Sequence, residues 1–266
     1  MIITDKFVYI HMPKTGGSFV TDALFQLYDF KWNKWEHIKL ATFQQRKKKA
    51  SNGWIAITAG KHFGCSKIPD EYSNLPILTT IRNPFDYYVS QYEFGWWKRK
   101  QWFKYYQALP GFNDRYKDFP NLSFRQFMQL MCEAFNPPGA RDLEDDNTPG
   151  RYSFEFINMY FKDPQSCYPK ISENYASSEE IQQDMFKVHF IFTRYLNDQL
   201  HEYLLDAGYP EEDISFITTK EKVLPLGKGR SKTQKWQQYY DAELLELVAK
   251  KDAFLFRLFE HSFAVA

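Results

Sequence analysis

The run His11 to Val20, HMPKTGGSFV, constrains the fold more than any other stretch of the chain. Before it, Phe7 to His11 alternates aromatic and β-branched residues, which reads as a short buried strand. After it, Ser18 to Leu27 carries Val20, Leu24 and Leu27 at helical spacing. Gly16 and Gly17 lack a Cβ, so the backbone between these elements can wrap closely around a small anion. A strand, a glycine turn and a helix start together present N–H groups and the positive end of the helix dipole to such an anion. Lys14 adds a mobile positive charge, and Thr15 and Ser18 add hydroxyl donors. A bare Gly-Gly would be explained equally well as a turn joining two elements; Lys, Thr and Ser around it favour the anion site. The spacing is not that of the kinase-type loop, a glycine, four residues, then Gly-Lys-Ser/Thr, because Lys14 precedes the glycine pair.

Further strands and helices follow in alternation. Trp54 to Thr58 reads as a second strand introduced by the turn Ser51-Asn52-Gly53, and Leu75 to Ile81 as a third, stopped by Asn83-Pro84. Phe85 to about Trp97 reads as a helix. Val188 to Thr193 is a fourth strand candidate, and a helix through Leu196, Leu200 and Leu204 then ends near Gly208. Asp241 to Phe259 is strongly helical, with Asp241 as N-cap and Leu244, Val248, Leu255 and Phe259 along one stripe. This alternation predicts an α/β, P-loop-like three-layer fold with a central parallel sheet flanked by helices. From about residue 98 to 180 the pattern weakens into aromatic, Pro- and Asp-rich stretches, including RDLEDDNTPG. The expectation is one domain over residues 1–266, with a helical or irregular insertion at about 98–180.

Charge narrows the function. The 266 residues hold 34 basic and 33 acidic side chains, a formal net charge of +1, so no nucleic-acid partner is expected. Aromatic residues make up 19% of the chain, too many for a disordered protein. Mean hydropathy is −0.57, and no run approaches the ~20 apolar residues of a membrane span, so no membrane partner is expected either. The N-terminus lacks a basic stretch followed by a long apolar one. Cys65, Cys132 and Cys167 are too scattered for a disulfide framework. His62-x-x-Cys65 would be half a zinc site with no second ligand pair, so no metal is expected. These features predict a soluble, cytoplasmic protein and leave its oligomeric state open.

A second motif, TTIRNPFDYYVSQYEF from Thr79 to Phe94, places Arg82 at a strand end and Ser90 one to two turns into the next helix. Arginine suits bidentate phosphate binding, and a helix-borne hydroxyl can close on the same group. The two motifs together resemble the donor-binding motifs of sulfotransferases that use 3′-phosphoadenosine 5′-phosphosulfate (PAPS). The text is most similar to the carbohydrate branch, of the heparan sulfate 2-O and 6-O type, and its bacterial relatives. That resemblance implies that Lys14 contacts the sulfate-bridging phosphate, while Thr15, Gly16, Gly17, Ser18 and Phe19 cradle the 5′-phosphate. It implies that Arg82 and Ser90 grip the 3′-phosphate. A late basic loop, LGKGRSKTQ, resembles the family's loop over the nucleotide and makes Lys228, Gly229, Arg230, Ser231 and Lys232 candidates; a solvated linker explains it as readily. The likeness covers about the first hundred residues and returns over about the last forty; the region at 98–180 would then be the acceptor side.

The resemblance implies transfer of a sulfuryl group from PAPS to a hydroxyl or amine, leaving PAP. A lysine at the bridging oxygen offsets the charge developing there, and a general base removes the acceptor proton. His62, in ITAGKHFGC just after the second strand, is the favoured base, and a similar Gly-His segment in the carbohydrate branch carries the proposed one. Here Lys61 intervenes between Gly60 and His62, which makes Lys61 itself a candidate, with Glu93 a further alternative. His11 ends the first strand and reads as orienting the loop; His189 reads as a core residue; His37, His201 and His261 stand without a neighbouring motif. The aromatic helix FDYYVSQYEFGWWKRKQWFKYY packs a core or stacks an acceptor. The acidic cluster Asp142, Glu144, Asp145 and Asp146 reads as a solvated loop or a cue for a cationic acceptor. Arg46-Lys47-Lys48-Lys49 reads as a solvated helix face or a dock for an anionic one. The acceptor is expected to be a small molecule, such as an alkaloid-like natural product, or a carbohydrate. Two rival readings stand beside this one: a P-loop kinase acting on a small metabolite, and a non-catalytic nucleotide-binding protein of the same fold.

Overall fold

The structure is a computed structural model and describes residues 1–31, 45–134, 148–223 and 234–263. The described chain divides into two compact units, one from Met1–Arg82, Met159–Lys162 and Met185–Pro225, the other from Asn83–Asn158, Asp163–Asp184 and Leu226–Ala266.

The first unit is built on a six-stranded sheet. Its strands are β1 (Ile2–Thr4), β2 (Val8–Ile10), β3 (Gln45–Ala50), β4 (Gly53–Thr58), β5 (Ile77–Ile81) and β6 (Val188–Phe192), in the order β3-β4-β1-β2-β5-β6. The helix α1 (Gly17–Leu27) follows β2 through the glycine loop, as the sequence predicts. Period-2 alternation sorts the strand residues between two faces. Tyr9, Leu78 and Ile191 join one core with Val20, Leu24 and Leu27 of α1 and with Leu200 and Leu204 of the late helix Leu196–Asp206. The neighbouring strand residues Thr79 and Phe190 turn the other way, where the Tyr160 hydroxyl lies 2.8 Å from that of Thr79 and its ring packs edge-on against Phe190. α1 and the late helix therefore cover one face of the sheet while Tyr160 meets the other, and the α/β expectation holds.

The pairing is richer than alternation alone predicts. β2, β5 and β6 pair in parallel, but β1 inserts antiparallel between β2 and β4, and β3 forms an antiparallel hairpin with β4. β1 is too short to announce itself by periodicity. Ile2 pairs with Tyr9 on one side and Ile57 on the other, so β2 and β4 end along the same edge of the sheet. Arg46-Lys47-Lys48-Lys49 lies in strand β3, which corrects the helix-face reading. The basic residues alternate across this edge strand: Lys48 reaches back to the Asp29 backbone and side chain, while Lys47 sits 3.6 Å over the Trp54 ring. Charge on an edge strand discourages pairing with another chain. His189 is also corrected: it lies on β6 at the sheet margin, exposed, against the ring of Tyr203.

The second unit is helical. Its first long helix, α2 (Pro84–Phe94), starts where the Asn83 side chain accepts the Phe85 amide at 3.0 Å and stops at Gly95, which takes φ 66°. The sequence reading carried this helix on to Trp97; a left-handed glycine ends it earlier. Between residues 98 and 180 the chain forms short helices, including Lys100–Tyr106, Phe124–Ala134 and most of Arg151–Tyr160. Phe85, Tyr87, Tyr88, Trp97 and Tyr106 are buried, so part of the aromatic excess beside the second motif is core, while Tyr92, Phe94, Trp96, Trp102 and Phe103 are half-buried and Tyr105 is exposed. The C-terminal helical stretch begins at Asp241, whose carboxylate caps the Leu244 amide, and divides at Asp252. Asp252 is buried and accepts from the Ser153 amide, the Ser153 hydroxyl and Tyr88.

Candidate active site

The glycine loop leaves β2 and turns into α1 over six residues whose geometry is held by named contacts. Lys14 adopts φ 65°, an uncommon conformation for a residue with a side chain. Its carbonyl accepts from Arg82 Nη1 at 3.0 Å, which ties the loop to the end of β5. The Thr15 hydroxyl is buried, 2.9 Å from the Met12 carbonyl and 2.7 Å from the Thr80 hydroxyl, so it secures the loop from within. Gly16 takes φ 100° and caps α1 with no side-chain hydrogen bond. A Cβ at Gly16 would stand 2.8 Å from Leu196 Cδ2, and one at Gly17 would stand 2.4 Å from the His11 ring. Ser18 opens the helix, half-buried. The Phe19 side chain lies in the core and its amide donates to the Gly16 carbonyl at 2.9 Å.

Gly17→Ala is expected to cost about 1–3 kcal/mol of stability, because the added methyl must displace a buried ring. Urea unfolding would measure it, and an unchanged midpoint would show that His11 yields freely.

Arg82 follows β5 and stands half-buried beside the loop. Ser90 lies on α2 in the second unit, half-buried. Glu93 is on the same helix, its Oε1 accepting from the Tyr239 hydroxyl at 2.7 Å. Lys228, Gly229, Arg230, Ser231 and Lys232 lie outside the described residues, as do Asp142, Glu144, Asp145, Asp146 and His37. Among the described residues no group of His, Cys, Asp and Glu could hold a metal ion, and Cys65 is buried.

The end of β4 brings His62 to the loop. Its Nδ1 lies 2.9 Å from the His11 carbonyl, and the two imidazoles meet edge to face with centroids 4.9 Å apart. A carbonyl can only accept, so Nδ1 carries the proton and the neutral ring keeps its basic lone pair on Nε2. His62 is exposed, whereas His11 is only 5% exposed.

Positive charge accumulates around this loop. Burial, followed by the nearby Arg82, Lys222 and Lys61, lowers the Lys14 ammonium to about 8. Desolvation lowers Lys61 as well. Burial and then Lys61 hold the chain's amino group, hydrogen-bonded to Thr58 and the Gly60 carbonyl, at about 5. Burial, aided by Lys61, His62, the amino group and Lys14, keeps His11 well below the usual imidazole range. Each cation here disfavours the charged form of the others.

Two contributors escaped the sequence reading. The Thr193 hydroxyl, at the end of β6, lies 2.6 Å from the Thr15 carbonyl and 2.9 Å from the Ile81 carbonyl, pinning the loop to two strands at once. A threonine ending an apolar strand carries no local signal for that role. Lys222 acts on Lys14 through space, and its only sequence cue was its place just before the late basic loop.

A family model described as Sulfotransferase family matches residues 1–259. No curated protein matches the sequence. Among solved structures, the crystal structure of mouse sulfotransferase SULT7A1 complexed with PAP is similar at 12% sequence identity and a TM-score of 0.45, covering 97% of this chain and 86% of that one.

Proposed function

The chain belongs to the sulfotransferase family, and from that premise we propose that it transfers a sulfuryl group from PAPS to a hydroxyl or amine of a small-molecule or carbohydrate acceptor, leaving PAP. The observation that carries this reading is the concentration of mutually repelling cations, Lys14, Lys61, Arg82 and Lys222, around a glycine loop that opens a helix with no side-chain cap. That arrangement fits a polyanionic nucleotide: the first amides of α1 and the Lys14 ammonium share the anion.

PAPS supplies the sulfuryl group. The remaining work falls to this chain. Lys14 offsets negative charge on the phosphate oxygen that takes the electron pair of the breaking S–O bond. Arg82 donates to the Lys14 carbonyl, which places its guanidinium beside the loop as a phosphate ligand. His62 Nε2 accepts the proton of the acceptor O–H or N–H as the new bond to sulfur forms. By the resemblance, Ser90 is assigned with Arg82 to the 3′-phosphate, and Lys228, Gly229, Arg230 and Lys232 to nucleotide binding. Glu93 is the weaker candidate base, since Tyr239 already donates to its carboxylate.

Calorimetric titration with PAP, AMP and ATP tests the donor. PAP is expected to bind most tightly and AMP markedly less, because Arg82 and the late loop are assigned to the 3′-phosphate. Preference for ATP, with magnesium required for turnover, would support the small-metabolite kinase instead. Tight PAP binding without transfer to any member of a broad acceptor panel, using labelled PAPS, would leave a non-catalytic nucleotide-binding protein.

A further inference from the structure

His11 has no part in the chemistry just described, yet three walls hold its ring. On one side the backbone of Gly17 comes so close that a Cβ there would stand 2.4 Å from His11 Cδ2 and Nε2. On another, Nδ1 is 3.3 Å from the Thr21 hydroxyl of α1. The third is the His62 ring, set at 89° to it, whose Nδ1 is bound to the His11 carbonyl. A ring this buried and this enclosed cannot turn without moving the loop, the helix or His62.

We propose that His11 is a positioning residue that holds His62 in its proton-accepting orientation and ties that orientation to the seating of the phosphate loop. Two contacts divide the task. The backbone carbonyl sets the tautomer, which any residue at position 11 could do; the imidazole ring sets the rotamer, which requires a flat group of this size. Because Gly17 and His62 press on the same ring, an anion that settles the loop also settles the base. The charged groups that face the ring are Lys61, His62, the Met1 amino group and Lys14, all cationic when protonated, so His11 serves as a neutral wedge among them. The inference deepens the sulfuryl-transfer reading and rests on His62 as its base.

The test compares His11→Ala, His11→Phe and Thr21→Val in kcat, in PAP affinity and in the ¹⁵N signals of His62 in histidine-labelled protein. His11→Ala is expected to lower kcat about 10- to 100-fold, as a misplaced catalytic group does. PAP affinity should stay close to that of the parent, and the His62 signals should broaden as its ring leaves a single rotamer. His11→Phe, which restores a flat ring, should recover most of that loss. Thr21→Val leaves the ring in place and covers the case in which His11→Ala does not fold; a partial fall in kcat with a broadened His62 signal is expected. Wild-type kcat in His11→Ala, or a loss of kcat matched by an equal loss of PAP affinity in every variant, would overturn the proposal. A fully active His62→Ala would instead remove the base reading beneath it, and that outcome is visible independently of position 11.

Discussion

Lys14→Ala is expected to lower kcat by about 10² to 10³, the usual cost of removing a group that stabilises charge developing in a transition state. The effect on PAP affinity should be smaller. PAP remains bound by the loop amides, Arg82 and the remaining cations, whereas the leaving oxygen gains most of its charge only as the S–O bond breaks. The comparison of kcat in saturating PAPS with the calorimetric Kd for PAP separates the two. Equal losses in both would make Lys14 a general anchor for the nucleotide.

The lowered Lys14 pKa adds a pH dependence. With the ammonium at about 8 in the free protein, PAP affinity should be level below that pH and decline above it, as protein that must first take up a proton predominates. Bound phosphate favours the charged lysine, so its pKa rises in the complex and the decline levels off at more alkaline pH. Lys14→Ala should lack this limb. A limb that survives in the variant would belong to another cation, with Lys61 the first to examine because it too is lowered.

His62→Ala is the second large effect expected, a fall in kcat of about 10² to 10⁴, the range associated with loss of a general base. PAP binding should remain near normal, since His62 stands exposed beside the loop and donates to a carbonyl. Near-normal turnover in the variant would transfer the role to Glu93 or Lys61. Glu93→Gln and Lys61→Met would then decide between a carboxylate on α2 and an amine beside β4.

Much of the candidate site's local geometry was legible residue by residue because it is set by neighbouring residues. Gly16 and Gly17 mark a turn that side chains cannot occupy; Asn83-Pro84 ends a strand and caps a helix; Lys14 and Arg82 sit at strand ends, where parallel sheets gather their ligands. The errors came from the sheet's margins. Arg46-Lys47-Lys48-Lys49 has a composition that a helix surface and an edge strand share, and only its pairing with β4 decides between them. His189 looked internal because its neighbours are apolar, but β6 has no described strand beyond it.

The sequence by itself determined the strand–loop–helix unit and an arginine at a later strand end, and with them the family. Those are properties of contiguous backbone and of side chains within one turn of each other. The tertiary structure alone decided what meets the loop. β1 pairs antiparallel with both β2 and β4, which aligns their ends and sets His62 against His11 across fifty residues of chain. Thr193 reaches the Thr15 carbonyl from still farther away, and Lys222 lowers the Lys14 ammonium through space. Strand order and through-space charge depend on packing between distant segments, and no window of sequence contains them.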